Sequence, residues 1–299
     1  MNEITANKDF QLKGQMAVLV TAVLWSTGPM FMKMLDLHPV VITGLRSFVA
    51  LTFLLIARII FPPPKGVKNP AFPFWAAVAA YVGVMYTHIG AVTTTTATNA
   101  VMLLYSAPIW AALLGWRVAK EKLNWEHWGA LVFVTIGLVL FFRDGLDSGA
   151  LFGNILAAIS GFFLGANMVF LRMLKDGNPR DAMLMAHLIA FVLSIPFITF
   201  NPPSIEISTV LPLLYLGAVQ MGITGLLFSY GIKRVTAIQA VLTSIIEPIL
   251  TPVWVLLLFS EKPSVMALAG GGIIVSAVLA SSLIGIRRVT RNADNTSPS

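Results

Sequence analysis

The sequence predicts an all-α integral membrane protein: ten transmembrane helices arranged as two inverted-topology repeats of five. Three observations carry that prediction. First, 57% of the 299 residues are apolar and only 11% are charged, against roughly 25% charged in an ordinary soluble domain. The mean hydropathy is +0.83, and no soluble fold of this length hides so much apolar side chain. Second, the apolar residues fall in long continuous runs and do not alternate, which selects helices over a β-barrel. Third, the two halves share residues at a constant offset. Together these exclude a soluble enzyme, a nucleic-acid-binding protein, a disordered chain and a coiled coil. The chain has no cysteine, which removes disulfides, thiolate chemistry and cysteine metal sites.

The runs can be taken in order. The first, about residues 16–32, follows Lys8 and Lys13 and contains Pro29. It is long, and no small-residue cleavage site follows it before the second run, so a retained helix is expected. The second, 40–61, opens after Pro39, holds Arg46 and ends at Pro62-Pro63-Pro64. The third, 72–92, leads through Thr93-Thr94-Thr95-Thr96 into the fourth, 97–116, which contains Pro108. Four threonines there predict a polar turn with helix capping. The fifth, 125–142, has the shortest strictly apolar stretch. The sixth, 150–171, ends before Gly177-Asn178-Pro179, and the seventh, 182–200, before Asn201-Pro202-Pro203. The eighth covers 210–232. The ninth, 237–259, carries Pro248 and Pro252, and the tenth covers 265–286. Gly272, Ser276 and Ala280 give the tenth a face of small residues, expected to pack against another helix of the same chain. The expected units are residues 14–142 and 150–286, flanked by tails 1–13 and 287–299.

Positive charge sets the orientation. With the N-terminus in the cytoplasm, every Lys and Arg except Lys33, Arg143, Lys262 and Arg46 falls in a cytoplasmic segment, which is 16 of 20. Both termini are therefore expected on the cytoplasmic side of an inner membrane. The net charge of +7 is a topology signal and implies no nucleic acid.

The repeat is clearest at an offset of 140. Thr96-Ala97 matches Thr236-Ala237, Ala100-Val101 matches Ala240-Val241, Pro108 matches Pro248, and Glu121-Lys122 matches Glu261-Lys262. Near offset 139, Gly14 matches Gly153 and Lys33 matches Arg172. Five helices per unit is an odd number, so the two units enter the membrane in opposite directions. Glu121-Lys122 then falls inside and Glu261-Lys262 outside. This pattern is found in many secondary transporters and puts a site near the midplane, between the halves.

On these residues the chain resembles the drug/metabolite transporter superfamily, in its ten-helix EamA branch. The resemblance runs from Gly14 to Ile286. Its most specific element is a Pro-containing helix that ends in Glu and occurs twice, through Pro108 to Glu121 and through Glu247-Pro248 to Glu261. Arg46, shortly after Pro39, matches an Arg usual in the branch. The resemblance implies export or exchange of small metabolites, often amino acids, across the inner membrane. Leu104-Tyr105-Ser106-Ala107-Pro108 departs from the Asn-Tyr-Leu-Trp-Pro-like stretch of the aromatic amino-acid exporters.

Polar groups in a bilayer core are costly and tend to face a cavity or a partner. The ninth run carries Gln239, Thr243, Glu247, Thr251 and Trp254 at i, i+4, i+8, i+12 and i+15. They share one helical face, which reads as cavity lining. Glu247, near the centre of that run, is a carboxylate for a substrate amine or an Arg, a proton-exchanging group, or a structural Glu at helix termini opened by Pro248. Arg46 is an anion-binding or gating residue, or a snorkelling Arg near the external interface. His88 shares a face with Tyr81 and Met85 and either lines the cavity or is satisfied by a neighbouring helix. His187 lies in the seventh run. Asn99 opens the fourth helix, Ser160 and Asn167 lie seven apart in the sixth, and Trp25 and Ser26 precede Gly28-Pro29. Breaks at Pro29, Pro108 and Pro248 are hinges that bare backbone groups for a substrate's charged ends, or simple kinks. Tyr105, Trp110 and Tyr230 are cavity walls or packing.

The candidate cavity set is thus Trp25, Ser26, Arg46, Tyr81, His88, Asn99, Tyr105, Asn167, Gln239, Thr243, Glu247 and Thr251. No catalytic residue, cofactor or metal site is expected, since no carboxylate stands at ligand spacing from either His. The expected partners are a small-molecule substrate, the lipid bilayer and, as candidate coupling ion, the proton; a monomer and a homodimer both fit. No P-loop is present, so ATP is not the direct energy source. A multidrug or cation efflux carrier of the same fold is the alternative. A membrane-embedded enzyme lacks paired carboxylates or G-x-S-x-G, and a channel lacks a repeated polar filter.

Overall fold

The computed structural model describes residues 2–62, 69–118, 120, 125–148, 150–174, 178–200, 202–203, 206–232, 234, 243–244 and 246–294. Every regular element among them is helical: α1 (Asn2–Ser26), α2 (Gly28–Lys33), α3 (Pro39–Ile60), α4 (Ala71–Thr94), α5 (Ala97–Leu104), α6 (Ala107–Val118), α7 (Trp125–Ser148), α8 (Leu151–Met173), α9 (Pro179–Phe200), α10 (Ile207–Leu214), a π-helical segment (Tyr215–Ile223), α11 (Thr224–Ile232), α12 (Ile246–Phe259) and α13 (Val265–Asp294).

Among the described residues, seven helices, counting broken ones as single spans, are long and apolar enough to cross a membrane. They match the first four runs and the sixth to eighth. Within the other three runs the described residues form the apolar helices Trp128–Leu140, Ile246–Phe259 and Val265–Ser281.

Three expected helices are interrupted. α1 stops at Ser26, and α2 restarts with Pro29 in its first turn, where the missing N–H is harmless. The fourth span breaks at Tyr105-Ser106, two residues before Pro108, because a proline ring excludes the carbonyl a turn earlier. Thr96 caps α5, its Oγ1 accepting from Asn99 N at 3.1 Å. The eighth span carries the π-helical segment, which the sequence reading did not anticipate. It begins three residues after Pro212, and π segments are rare and concentrate at functional sites.

The first helix and the sixth span each pack in the opposite half. α1 lies against α11 and α12, and α8 lies against α4, α5 and α6. α3 packs on α9 and the π-helical segment, α4 also on α9, α5 on α12, and α7 on α13. The apolar core has one cluster around Met32, Ile42, Ile89, Leu103, Leu216 and Ile274, and another around Met85, Leu174 and the alanines of α9. The α7–α13 seam corrects one expectation. A Cβ on Gly137 would lie 2.9 Å from Gly270 O, and the buried face of α13 is Gly270, Gly271, Ile274, Ala277 and Val278. Gly272, Ser276 and Ala280 are exposed. Small residues occur on both faces of this helix, so their spacing alone does not say which face packs.

Candidate functional site

Polar side chains concentrate where the helices break. The end of α1 leaves carbonyls without helical partners, and residues of the other half meet them. Gln220 Nε2 donates to Trp25 O at 3.4 Å, and Thr251 Oγ1 lies 3.3 Å from Ser26 O as well as 2.9 Å from Glu247 O. Trp254 Nε1 donates to Ser26 Oγ at 2.9 Å, and that hydroxyl donates on to Val23 O at 2.6 Å. Trp25 Nε1 donates to Thr224 Oγ1 at 3.0 Å, which itself donates to Gln220 O. Thr27 Oγ1 and Tyr215 OH are 2.7 Å apart.

The break between α5 and α6 faces the start of α12. Tyr105 OH lies 2.9 Å from Glu247 Oε2 and 3.0 Å from Ser244 O, so one phenol hydrogen serves two acceptors. Glu247 stands in the helical ninth span, next to the buried Pro248. Trp110 Nε1 donates to Ser106 Oγ at 3.2 Å.

A second cluster forms among α3, α4, α9 and the π-helical segment. Arg46 is buried on α3, which packs on α4, α9 and the π-helical segment. The Tyr81 ring meets the His187 ring edge-on at 5.7 Å, and its hydroxyl lies 3.5 Å from Met221 Sδ. Ser47 Oγ lies 3.5 Å from Met85 Sδ.

A third cluster closes the ends of α2, α4 and α5. Lys33 Nζ is 2.8 Å from Glu261 Oε2 and 3.3 Å from Thr95 O. Glu261 Oε1 accepts from Ala97 N at 2.7 Å. Asn154 Oδ1 accepts from Thr95 Oγ1 at 2.8 Å and from Asn99 Nδ2 at 3.2 Å.

The structure brings Trp25, Ser26, Thr251, Tyr105 and Glu247 into the break region, and Arg46, Tyr81 and His88 into the cationic cluster. Thr243 lines a cleft of about 460 Å³ between α1 and the start of α12, with Leu12, Gln15, Met16, Leu19, Ile246 and Ile249. Asn99 belongs to the Glu261 end. Asn167 is pinned to α4, donating to Ala77 O at 2.9 Å, and Ser160 bonds within its own helix to Ala157 O. Tyr230 is exposed and carries the Arg234 guanidinium over its ring at 3.5 Å. Pro29 and Pro248 are buried and Pro108 half-buried. Gln239, Glu121 and Ala240-Val241 lie outside the described residues. The sequence reading missed Tyr215, Gln220, Thr224, Asn154 and the Lys33–Glu261 pair. Tyr215 and Gln220 are five apart, which suits a π period and escapes a 3.6-residue template.

An all-helical bundle with several membrane-length apolar helices and polar clusters at interior helix breaks defines a multi-pass membrane protein of the transporter class. The chain belongs to the EamA-like transporter family, whose model matches residues 12–143 and 151–283. It is similar to a protein of Archaeoglobus fulgidus named an uncharacterized transporter, with 24% identity over 287 residues, covering 89% of this chain and 96% of that one. The uncharacterized transporter YwfM of Bacillus subtilis is 30% identical over 195 residues, covering 61% of this chain and 64% of its own. Human solute carrier family 35 member G1 is 28% identical over 190 residues, 57% of this chain and 50% of that one. A crystal structure at 18% identity superposes with a TM-score of 0.65 over 92% of this chain and 98% of its own, which speaks to the fold alone.

Proposed function

We propose that the protein is a secondary transporter that exports or exchanges small metabolites, amino acids or related compounds, across the inner membrane by alternating access, with ten spans in two inverted units (14–142 and 150–286) and both termini cytoplasmic. The observation that carries this reading is the Tyr105–Glu247 contact. It joins the broken fourth span to the ninth, the equivalent members of the two units, and holds an ionisable group between them.

Several features support the arrangement. The family match falls in two stretches of similar length. Helix contacts pair up when every span is shifted by five: α4 with α8 corresponds to α1 with α11, α8 with α5 and α6 to α1 with α12, and α4 with α9 to α3 with the π-helical segment. Exposed Trp75, Trp116, Trp125 and Trp128 sit at span ends that the charge bias assigns to the cytoplasm, as interfacial tryptophans do. The Lys33–Glu261 pair then lies at the external end and holds it shut.

In this reading Glu247 receives a substrate amine or a proton, and Arg46 lies in the substrate path. Pro29, Pro108 and Pro248 are the hinges. Thr243 extends the polar face of the ninth span towards the cytoplasm, while His88 and Tyr81 line the path beside Arg46. Cation or multidrug efflux is the second reading, since a half-buried carboxylate such as Glu247 also suits an amine without a carboxylate.

The test is counterflow in proteoliposomes preloaded with unlabelled L-amino acids. Saturable uptake of label is expected, and Glu247→Gln abolishes it while membrane insertion is unchanged. Wild-type counterflow in that variant would remove Glu247 from the mechanism.

A further inference from the structure

The least satisfied polar region is the cluster around Arg46. Arg46 is 3% exposed, and its Nε and Nη1 have no hydrogen-bond partner among the described residues. His187 is fully buried with neither ring nitrogen partnered, and His88 Nδ1 is also without a partner. These five nitrogens come from α3, α4 and α9, which pack on one another, and the Tyr81 ring of α4 meets His187 of α9 at 5.7 Å. The two ion pairs among the described residues, Lys33–Glu261 and Arg58–Asp181, do not involve them.

A guanidinium stays protonated in a protein and offers only donors. A buried charge is tolerated when it is paired, and a buried donor when it is bonded. Water supplies an acceptor but no charge. The group that answers the needs of the guanidinium is an anion with more than one acceptor oxygen, to which a neutral imidazole adds one N–H donor.

We propose that this cluster binds the carboxylate of the transported compound. The proposal rests on the transporter reading and names its substrate class: a metabolite that carries a carboxylate. One permanent positive charge matches the single negative charge of a carboxylate better than the roughly 1.5 to 2 units of a phosphate monoester. Charged hydrogen bonds from guanidinium and imidazole to carboxylate are also the stronger kind. Glu247, held by Tyr105 in α12, offers the opposite charge elsewhere in the bundle.

The test uses the purified full chain in detergent, read by thermal unfolding, with three probe sets: the L-amino acids with straight-chain monocarboxylates, the methyl esters of the same compounds, and inorganic phosphate. A ligand of the native state raises apparent stability. The expected result is stabilisation by one or more carboxylates and at least tenfold weaker binding of the matching ester. Arg46→Gln loses that response, whereas Arg46→Lys, which keeps the charge, retains part of it. Equal stabilisation by acid and ester, a response to phosphate alone, or no response across the panel overturns the proposal, and these comparisons need no variant to fold. The best ligand is then carried into counterflow. Carboxylate binding without counterflow overturns the transporter reading and leaves the anion site standing. Counterflow of an ester or amine, unchanged in Arg46→Lys, overturns the anion site and leaves the transporter.

Discussion

The Lys33 ammonium lies 2.8 Å from one oxygen of Glu261, and the other oxygen of that carboxylate accepts from the Ala97 backbone N–H. A single side chain thus ties the end of α2, the first turn of α5 and the segment before α13. Lys33 and Glu261 are both partly exposed, so the pair is worth about 1 kcal/mol at most.

Glu261→Gln is expected to loosen this end. A change of about 1 kcal/mol shifts a two-state population about fivefold. The chain contains no cysteine, so Met30→Cys introduces the sole thiol, a turn inside the closure on α2. Its labelling rate by a membrane-impermeant maleimide should rise several-fold when Glu261→Gln is added. An unchanged rate would mean that the pair does not hold the end closed.

Tyr105→Phe removes the only side-chain donor to Glu247 among the described residues. A hydrogen bond to a charged group is worth about 1.5–3 kcal/mol. Counterflow should fall about tenfold or more, short of the complete loss expected for Glu247→Gln. Trp110→Phe, which removes only the bond to Ser106, should keep most of the activity. Equal losses in Tyr105→Phe and Trp110→Phe would show that general packing, not the Glu247 contact, is being read.

Position 28 is crowded by the Gln220 side chain. A Cβ there would stand 1.5 Å from Gln220 Nε2, so the amide must leave the Trp25 carbonyl. Gly28→Ala should cost about 1–3 kcal/mol and lower the melting temperature in detergent. Gly272→Ala, with nothing within 4 Å, should be neutral or stabilising by up to about 1 kcal/mol through helix propensity. The same shift for both would contradict this packing.

Asn167 separates structural from transport roles in α8. Its amide donates to Ala77 O inside the α4–α8 contact, and Asn167→Ala should destabilise by about 1–3 kcal/mol. The counterflow half-saturation concentration should stay unchanged in the protein that remains folded. A large rise in that concentration would place Asn167 against the substrate.

Much of this architecture is legible in sequence, because a bilayer-length apolar run constrains local structure more tightly than a soluble helix does. The breaks at Gly28-Pro29 and before Pro108 follow from proline geometry, and Thr96 is recognisable as a cap. What escapes is set by distance along the chain. Trp25 finds Thr224, Ser26 finds Trp254, and Tyr105 finds Glu247, each more than 140 residues away. Periodicity says which residues share a face but not what that face meets, which is why Asn167 reads like cavity lining and Gly272 like a seam. His187 looks unremarkable until α3 and α4 bring Arg46 and Tyr81 beside it.

The exchange of first helices has a consequence for how the molecule comes apart. α1 is bonded to residues 224, 251 and 254, and α8 is packed into α4, α5 and α6. Each half of the chain has lent its leading arm to the other. Cutting the peptide between residues 143 and 150 would therefore not release two independent bodies. It would leave two fragments, each lacking the helix that fills its own groove, that regain a stable form only by finding each other.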